Sequence, residues 1–213
     1  MSPIFQSEDE AVKVHETYHL DTDREGKFIP SHTGWLRTKQ LLDWIPEGNP
    51  TILGVGCNSG GLEKTILQHK KGSIVYGIDV NKQLVDLANQ KGVIAKVARG
   101  EDLPFKDEFF DIVILSEILE HVFDVDKVVK ETLRVLKNGG LIIGSVPHPK
   151  GGNAQKGIEN HPYHARIFTK QTLKETFKML GNFEIKNIGF NAPDTTNFKI
   201  DRSPQWITFC GKK

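Results

Sequence analysis

The sequence lacks an excess of either charge, because 28 lysine and arginine residues stand against 27 aspartate and glutamate residues. Such a balance gives no overall field toward nucleic acid or an anionic membrane surface. The hydrophobic runs are short, and none approaches the ~20 residues that span a bilayer. Residues 1–9 are polar and acidic, unlike a secretory signal peptide. We therefore expect neither a membrane protein nor a protein that binds nucleic acid through bulk charge.

Cysteine is also scarce, since only Cys57 and Cys210 are present. Two cysteines do not indicate a disulfide scaffold or a zinc cluster, and we interpret Cys57 as a small buried side chain without chemistry. The simplest compartment for such a chain is the reducing cytoplasm. The 213 residues, of which 38% are hydrophobic, suffice for a sizeable core. The composition thus predicts one globular domain over residues 1–213.

The stretch that organises the chain is residues 52–60, where a short apolar strand runs into a glycine-rich turn. Residues 61–71 follow with apolar side chains at helical spacing. A second apolar run, Ile74–Ile78, then ends in Asp79. Glycines let a backbone pass close to a ligand, and a strand-end acid can accept hydrogen bonds from two ribose hydroxyls. The pattern as a whole predicts a nucleoside site.

Strands and helices alternate along the rest of the framework, which favours a parallel sheet with right-handed crossovers. The further predicted helices cover residues 33–45, 81–91, 124–137 and 169–180. The further predicted strands cover residues 93–98, 111–116, 141–146, 183–190 and 205–210. The last two strands have no helix between them, so we expect them to pair antiparallel at one edge. A dehydrogenase would instead continue with a second alternating half.

Two segments stand outside this alternation. Residues 7–32 begin with an amphipathic pattern, and residues 148–164 are rich in glycine and histidine without periodicity. Because aperiodic segments of such folds commonly carry substrate contacts, we expect these two to form a lid. The resulting division is an N-terminal helical cap over residues 1–45 and an α/β core over residues 46–213.

These motifs resemble those of the class I S-adenosylmethionine-dependent methyltransferases, in order and spacing, across residues 37–212. The resemblance rests on residues 53–60, 77–79, 101–105, 110–113 with 119–122, and 134–140. It implies a Rossmann-like, seven-stranded, mostly parallel sheet with an antiparallel last strand. It also implies methyltransferase activity, with S-adenosyl-L-methionine bound at the carboxyl ends of the strands.

The resemblance implies a set of cofactor-binding residues, which are Arg37, Gly54, Gly56, Gly60, Asp79, Val80, Gly100, Glu101 and Ser116. The chain departs from the family at some of these and neighbouring positions. Gly54 stands where the family usually has an acid that helps to organise the loop around the methionine part of the cofactor. Asn58 stands where glycine is usual. Arg99 stands where many relatives have the acid that meets the adenine amino group, so Glu101 or Asp102 would take that role.

His121 is the candidate catalytic base. It follows the fourth strand, at the methyl end of the cofactor in this fold, where a base could take a proton from an attacking hydroxyl. The alternative is a structural histidine that is bonded to the backbone.

A divalent metal site is a further prediction in the same region. Glu117, Glu120 and His121 are spaced i, i+3, i+4, so one helical turn would direct all three the same way. Ubiquinone-pathway O-methyltransferases carry a similar Glu-x-x-Glu-His, and small-RNA 2′-O-methyltransferases place a distal metal histidine where this chain has His164. Such a set suits Mg²⁺, Mn²⁺ or Fe²⁺. The alternative is a metal-free site in which Glu117 contacts cofactor or substrate, Glu120 faces solvent, and His121 is the base or is structural.

The favoured function is O-methylation of a small-molecule hydroxyl, such as that of a sugar or phenol. No Asn/Asp-Pro-Pro-Tyr sequence follows the fourth strand, which argues against the amino-methylating DNA and protein enzymes that use it. One alternative is an RNA 2′-O-methyltransferase, although the near-zero net charge counts against it. The other is a non-catalytic S-adenosylmethionine-binding scaffold or partner subunit, motivated by Gly54 and Arg99. We expect a small-molecule acceptor, no nucleic-acid or membrane partner, and a monomer or homodimer.

Overall fold

The computed structural model describes residues 32–150, 164–188 and 204–213. Its helices are α1 (His32–Trp44), α2 (Gly61–His69), α3 (Lys82–Gln90), α4 (Val125–Val135) and α5 (Lys170–Thr176). Its strands are β1 (Thr51–Val55), β2 (Ile74–Asp79), β3 (Ile94–Val97), β4 (Phe110–Ser116), β5 (Leu136–Pro147), β6 (Gly181–Ile188) and β7 (Trp206–Lys212). The predicted leading helix and most of the predicted lid lie outside the described residues, so the lid stays a prediction.

All seven strands form one sheet in the order β3-β2-β1-β4-β5-β7-β6. The five strands from β3 to β5 pair in parallel. Strand β7 pairs antiparallel with both β5 and β6 and therefore runs against the other six strands. This arrangement confirms the predicted parallel sheet, its antiparallel final pair and the Rossmann-like fold class.

The core has two layers, one on each face of the sheet. Along β4, Val113 and Leu115 belong to one buried cluster, while Ile112 and Ile114 belong to another. Because side chains alternate along a strand, these clusters lie on opposite faces, and β4 is covered on both. Within the residues described, no helix is long and apolar enough to cross a membrane.

The two largest differences from the predicted element boundaries are at the start of β5 and at the end of α5. Helix α4 ends at Val135, and the chain is already extended at Leu136, which pairs with Phe110 and is fully buried. The stretch that we predicted as helix end and glycine turn thus belongs to β5, with a register shift opposite Phe110 and Ile112. Helix α5 ends at Thr176, and a turn follows in which the Leu180 amide donates to the Phe177 carbonyl.

Candidate active site

The turn after β1 contains backbone conformations with positive φ, which favour glycine. Gly56 and Gly60 have φ of 71° and 75°, in the left-handed region that favours glycine. Asn58 has φ of 50°, and asparagine is one of the side chains that tolerate this region. A Cβ at Gly56 would lie 2.7 Å from the side chain of Ile118. The glycine turn therefore packs directly on the segment that follows β4.

Asp79 lies at the carboxyl end of β2 and ties that strand to the glycine turn. Its Oδ2 accepts a hydrogen bond from the Asn58 amide at 2.9 Å, and its Oδ1 accepts one from the Asn81 amide at 2.9 Å. A carboxylate has about four acceptor positions, which is why a strand-end acid can serve both backbone amides and ligand hydroxyls. The structure thus places the predicted ribose ligand beside the predicted cofactor turn.

The connection after β3 approaches the same strand ends. Gly100 is buried, and a Cβ there would lie 3.2 Å from Val55 and 3.3 Å from Val128. Glu101 follows it and is partly exposed, as is Val80 next to Asp79. Close backbone approach explains why glycine occupies position 100.

A buried acid that sequence reasoning missed lies beneath the glycine turn. Glu63, in the first turn of α2, is 3% exposed, and a Cβ at Gly54 would overlap its Oε1. Among the described residues, its Oε2 has no hydrogen-bond partner. Burial is the main cause that raises the pKa of Glu63 to about 8, and the negative charge of Asp79 raises it as well. A hydrogen bond from the backbone amide of Glu63 acts in the opposite direction. The sequence pattern does not indicate this contact, because the contact arises only where glycine, which has no Cβ, leaves room for the Glu63 carboxyl.

Glu117, directly after β4, is the centre of a polar network. Its carboxylate accepts hydrogen bonds from Ser145 Oγ at 2.9 Å and from Trp206 Nε1 at 2.8 Å. Arg37 Nη1 lies 3.2 Å from the same carboxylate, and the Arg37 guanidinium lies 5.1 Å from the Trp206 ring centroid. Ser116 joins through Ser145, with 2.9 Å between the hydroxyl oxygens. The sequence predicted Arg37 and Ser116 here but gave no sign of Trp206.

The predicted helical turn over residues 117–121 is wrong. Residues 117–123 form turns, and Glu117 itself has φ of 55°. This left-handed residue sends its carboxylate to Ser145 and Trp206 instead of aligning it with Glu120 and His121.

The other three predicted metal ligands do come together. Glu120, His121 and His164 each offer a ligand atom within 4.8 Å of the others. The histidine ring centroids are 4.8 Å apart, and His121 Nε2 lies 3.8 Å from Glu120 Oε1. All three side chains are buried. The geometry is that of a cluster able to hold one cation.

The Glu120 carboxyl is unusual within this cluster. It is 2% exposed, so the alternative in which it faces solvent is wrong. In the described part of the chain, neither of its oxygens has a hydrogen-bond partner. Burial raises its pKa well above the ordinary value, and the charge of Glu117 acts in the same direction. A buried carboxyl of this kind is stabilised by a proton or by a cation.

His164 is held next to Glu120 by its chain neighbours. The Ala165 amide donates to the Glu120 carbonyl at 2.8 Å. The Arg166 guanidinium donates to the carbonyls of Leu119 at 3.1 Å and Phe123 at 3.0 Å. These bonds join the segment before α5 to the turn after β4. Nothing in the sequence pattern singled out Arg166.

Comparison with known sequences identifies relatives of this arrangement. The family described as "Methyltransferase domain" matches residues 53–144. An uncharacterized protein of Methanocaldococcus jannaschii is 32% identical over 162 residues, which cover 74% of this chain and 73% of that protein. The ubiquinone biosynthesis O-methyltransferase of Pseudomonas fluorescens is 31% identical over 147 residues, which cover 64% of this chain. The match spans 61% of the length of that enzyme.

Solved structures share the fold at lower identity. A Thermotoga maritima S-adenosylmethionine-dependent methyltransferase, described as a possible histamine N-methyltransferase, has a TM-score of 0.76 at 21% identity. The match covers 93% of this chain and 98% of that one. A Haloferax volcanii putative methyltransferase, solved with the Trm112 methyltransferase activator, has a TM-score of 0.71 at 19% identity and 96% coverage of both chains.

Proposed function

Because the chain belongs to the class I S-adenosylmethionine-dependent methyltransferases, we propose that it methylates a hydroxyl oxygen of a small molecule. The name of the ubiquinone biosynthesis relatives, which describes O-methylation, supports this acceptor class. The observation that carries the proposal is the contact between Gly56 and Ile118. It joins the predicted cofactor turn to the turn that holds Glu120 and His121, so a methyl donor and an acid–histidine cluster would be neighbours.

The residues at the strand ends fit the parts of S-adenosyl-L-methionine. Asp79 would accept hydrogen bonds from the ribose hydroxyls, while Gly56 and Gly60 let the backbone approach the ligand. Arg37 would bind the carboxylate, because its guanidinium forms a planar fork of donors. The bound cofactor supplies a methyl group on a sulfonium sulfur. The acceptor oxygen attacks the methyl carbon and displaces the sulfur, which leaves as the neutral thioether.

In a site that holds no metal, His121 would accept the proton that the attacking hydroxyl loses. An imidazole has an ordinary pKa near neutrality, which suits a general base. The buried position of His121 keeps bulk water from competing for the acceptor position. Holding the oxygen close to the methyl carbon supplies most of what a direct displacement needs.

We further propose that Glu120, His121 and His164 bind a divalent cation. The support is the buried Glu120 carboxyl without a donor, next to two imidazoles. With Glu117 outside the cluster, the ligands are one carboxylate and two imidazoles. This set suits Mn²⁺ or Fe²⁺ better than Mg²⁺, because Mg²⁺ prefers oxygen ligands. Such an ion would lower the pKa of a bound acceptor hydroxyl.

Cofactor binding tests the function directly by titration calorimetry with S-adenosyl-L-methionine. Asp79→Ala should weaken binding by about 1–3 kcal/mol, because charge-assisted bonds to the ribose are lost. Asp86→Ala is the matched control, since Asp86 is an exposed acid on α3 that pairs with Lys82. Unchanged affinity in Asp79→Ala would rule out its role as ribose ligand. Methyl transfer to a panel of phenols, sugars and a terminal RNA nucleoside then identifies the acceptor class.

The metal is tested with enzyme stripped by EDTA and reloaded with Mg²⁺, Mn²⁺ or Fe²⁺. Activity should fall on stripping and return with one of these ions. His164→Ala should lose metal by elemental analysis, whereas His69→Ala, an exposed histidine on α2, should not. Full activity in stripped enzyme that contains no metal would contradict the proposal and leave His121 alone as the candidate base.

A further inference from the structure

Gly54 leaves a notch in the centre of the sheet. It is buried in β1, between Gly77 on β2 and Ile114 on β4. Glycine weakens a strand interior, so its presence there marks a close approach by another group. That group is the carboxyl of Glu63, whose Oε1 occupies the space that a Cβ at position 54 would need.

The hydrogen bonding of the Glu63 carboxyl is incomplete. Its Oε2 is buried and makes no hydrogen bond within the part of the chain that the structure describes. A buried acid with an unsatisfied oxygen costs free energy, and an apolar side chain of the same size would cost less. Buried polar groups in proteins normally have a hydrogen-bond or charge partner. A bound ligand could supply the partner that the Glu63 carboxyl oxygen lacks.

The charges around Glu63 connect it to the cofactor site. Asp79 acts on it from the end of β2, and Lys91 acts on it from the end of α3. Cys57, in the glycine turn, is buried beside both acids, and the charges of Glu63 and Asp79 contribute to raising its pKa. Asp79 is the proposed ribose ligand, so Glu63 lies within electrostatic reach of anything bound at the glycine turn.

We propose that Glu63 is a positioning residue for the cationic end of S-adenosyl-L-methionine, entering through the Gly54 notch and becoming ionised when the cofactor binds. The inference rests on the proposed function, since it assumes cofactor binding at this turn. The cofactor carries a positive sulfonium and an ammonium group, and a nearby positive charge favours the ionised carboxylate. The proton that leaves Glu63 passes to solvent.

A proton release of this kind makes affinity depend on pH. Because the pKa of Glu63 in the free protein is about 8, the carboxyl is mostly protonated at neutral pH. Binding then releases close to one proton, and affinity should rise by up to about tenfold per pH unit between pH 6 and pH 8. Above pH 8 the curve should level off, because the carboxylate is already ionised.

The test is calorimetric titration of the whole chain with S-adenosyl-L-methionine at pH 6–9, in buffers of different ionisation enthalpy. Glu63→Gln keeps the volume of the side chain but cannot ionise. It should bind more weakly at pH 8 and should lose both the proton release and the rise in affinity. The titration of the cofactor ammonium is common to both proteins and cancels in the comparison. S-Adenosylhomocysteine, which lacks the sulfonium charge, should release fewer protons from the wild type.

Equal affinity and equal proton release in the wild type and Glu63→Gln would overturn the inference. Failure of the wild type to bind S-adenosyl-L-methionine at any pH would instead remove the proposed function. If Glu63→Gln does not fold, Gly54→Ala is the second variant, since its Cβ must displace the Glu63 carboxyl. Its affinity should fall at least tenfold at pH 8, and an unchanged pH profile would also overturn the inference.

Discussion

The Arg37 guanidinium is held by an ion pair and a ring contact, and at least one of its N–H groups remains without a hydrogen-bond acceptor among the described residues. Glu117 lies on one side at 3.2 Å, and the Trp206 ring lies 5.1 Å from the guanidinium carbon. Among the described residues, its Nε has no hydrogen-bond partner although it is buried. A planar fork held in this way loses little side-chain entropy when it binds a carboxylate.

We predict that Arg37→Ala weakens S-adenosyl-L-methionine binding by about 1.5–3 kcal/mol, the range for hydrogen bonds to charged groups. Arg37→Lys should recover part of this loss, because it keeps the charge but not the fork. The matched control is Lys39→Ala, an exposed cation on the same helix. If Arg37→Ala binds the cofactor as tightly as the control does, the carboxylate contact is absent.

At the scale of an element, the turn after β4 is stabilised from outside itself. Residues 117–123 contain no regular helix, and Arg166 supplies donors to the carbonyls of Leu119 and Phe123. The turn therefore depends on a residue more than forty positions along the chain, with separations of 47 and 43 residues. These long-range bonds therefore help to hold Glu120 and His121 in place.

We predict that Arg166→Ala lowers the free energy of unfolding by about 2 kcal/mol and also weakens divalent-metal binding. The carbonyls of Leu119 and Phe123 lose a charged hydrogen-bond donor. His164, two residues before Arg166, is then held less firmly beside Glu120. Arg134→Ala is a close control, because Arg134 donates in the same way to the carbonyls of Leu103 and Phe105. Urea unfolding should show a loss in both variants, while metal titration should show a loss in Arg166→Ala only. Equal metal affinity in both would contradict the link between Arg166 and the cluster.

The elements were predictable from sequence where the signal is local. The apolar runs that end in Asp79 and Ser116, and the turn glycines after β1, gave the strands, their order along the chain and the cofactor edge. The failures occur where the outcome depends on tertiary contact. Leu136 joins β5 because it pairs with Phe110, and Glu117 leaves the metal cluster because Ser145 and Trp206 bind it. No local spacing carries that information.

For the whole molecule, the strand order explains why distant residues share one site. Strands β2, β1, β4 and β5 are consecutive neighbours, so their carboxyl ends bring Asp79, the glycine turn, Glu117 and Ser145 to one edge. Ligands of open α/β sheets bind at this edge, where strand order reverses. The antiparallel β7 adds Trp206 opposite Pro147 at the same end. Two acids, Glu63 and Glu120, are buried near this edge.

We predict that Glu63 stabilises the ligand-free protein at low pH and that this contribution is lost as the pH rises from about 4.5 through 8. The folded pKa of Glu63, about 8, lies above its ordinary 4.5, so the folded state binds more protons than the unfolded state across this interval. The stabilising proton is fully present below pH 4.5 and is lost as the pH passes 8, at about 1.4 kcal/mol per pH unit for one group. The raised pKa of Glu120 acts in the same direction.

Urea unfolding of the wild type and Glu63→Gln at pH 5 and pH 8, without cofactor or divalent ions, measures the contribution of Glu63. The glutamine cannot ionise, so the variant should gain stability relative to the wild type between these two pH values. Glu175→Gln, an exposed acid paired with Lys178, should follow the wild-type curve. Parallel curves for all three proteins would mean that Glu63 keeps an ordinary pKa in the folded state. The carboxyl in the Gly54 notch would then already be ionised at neutral pH, and its ionisation could not be linked to cofactor binding.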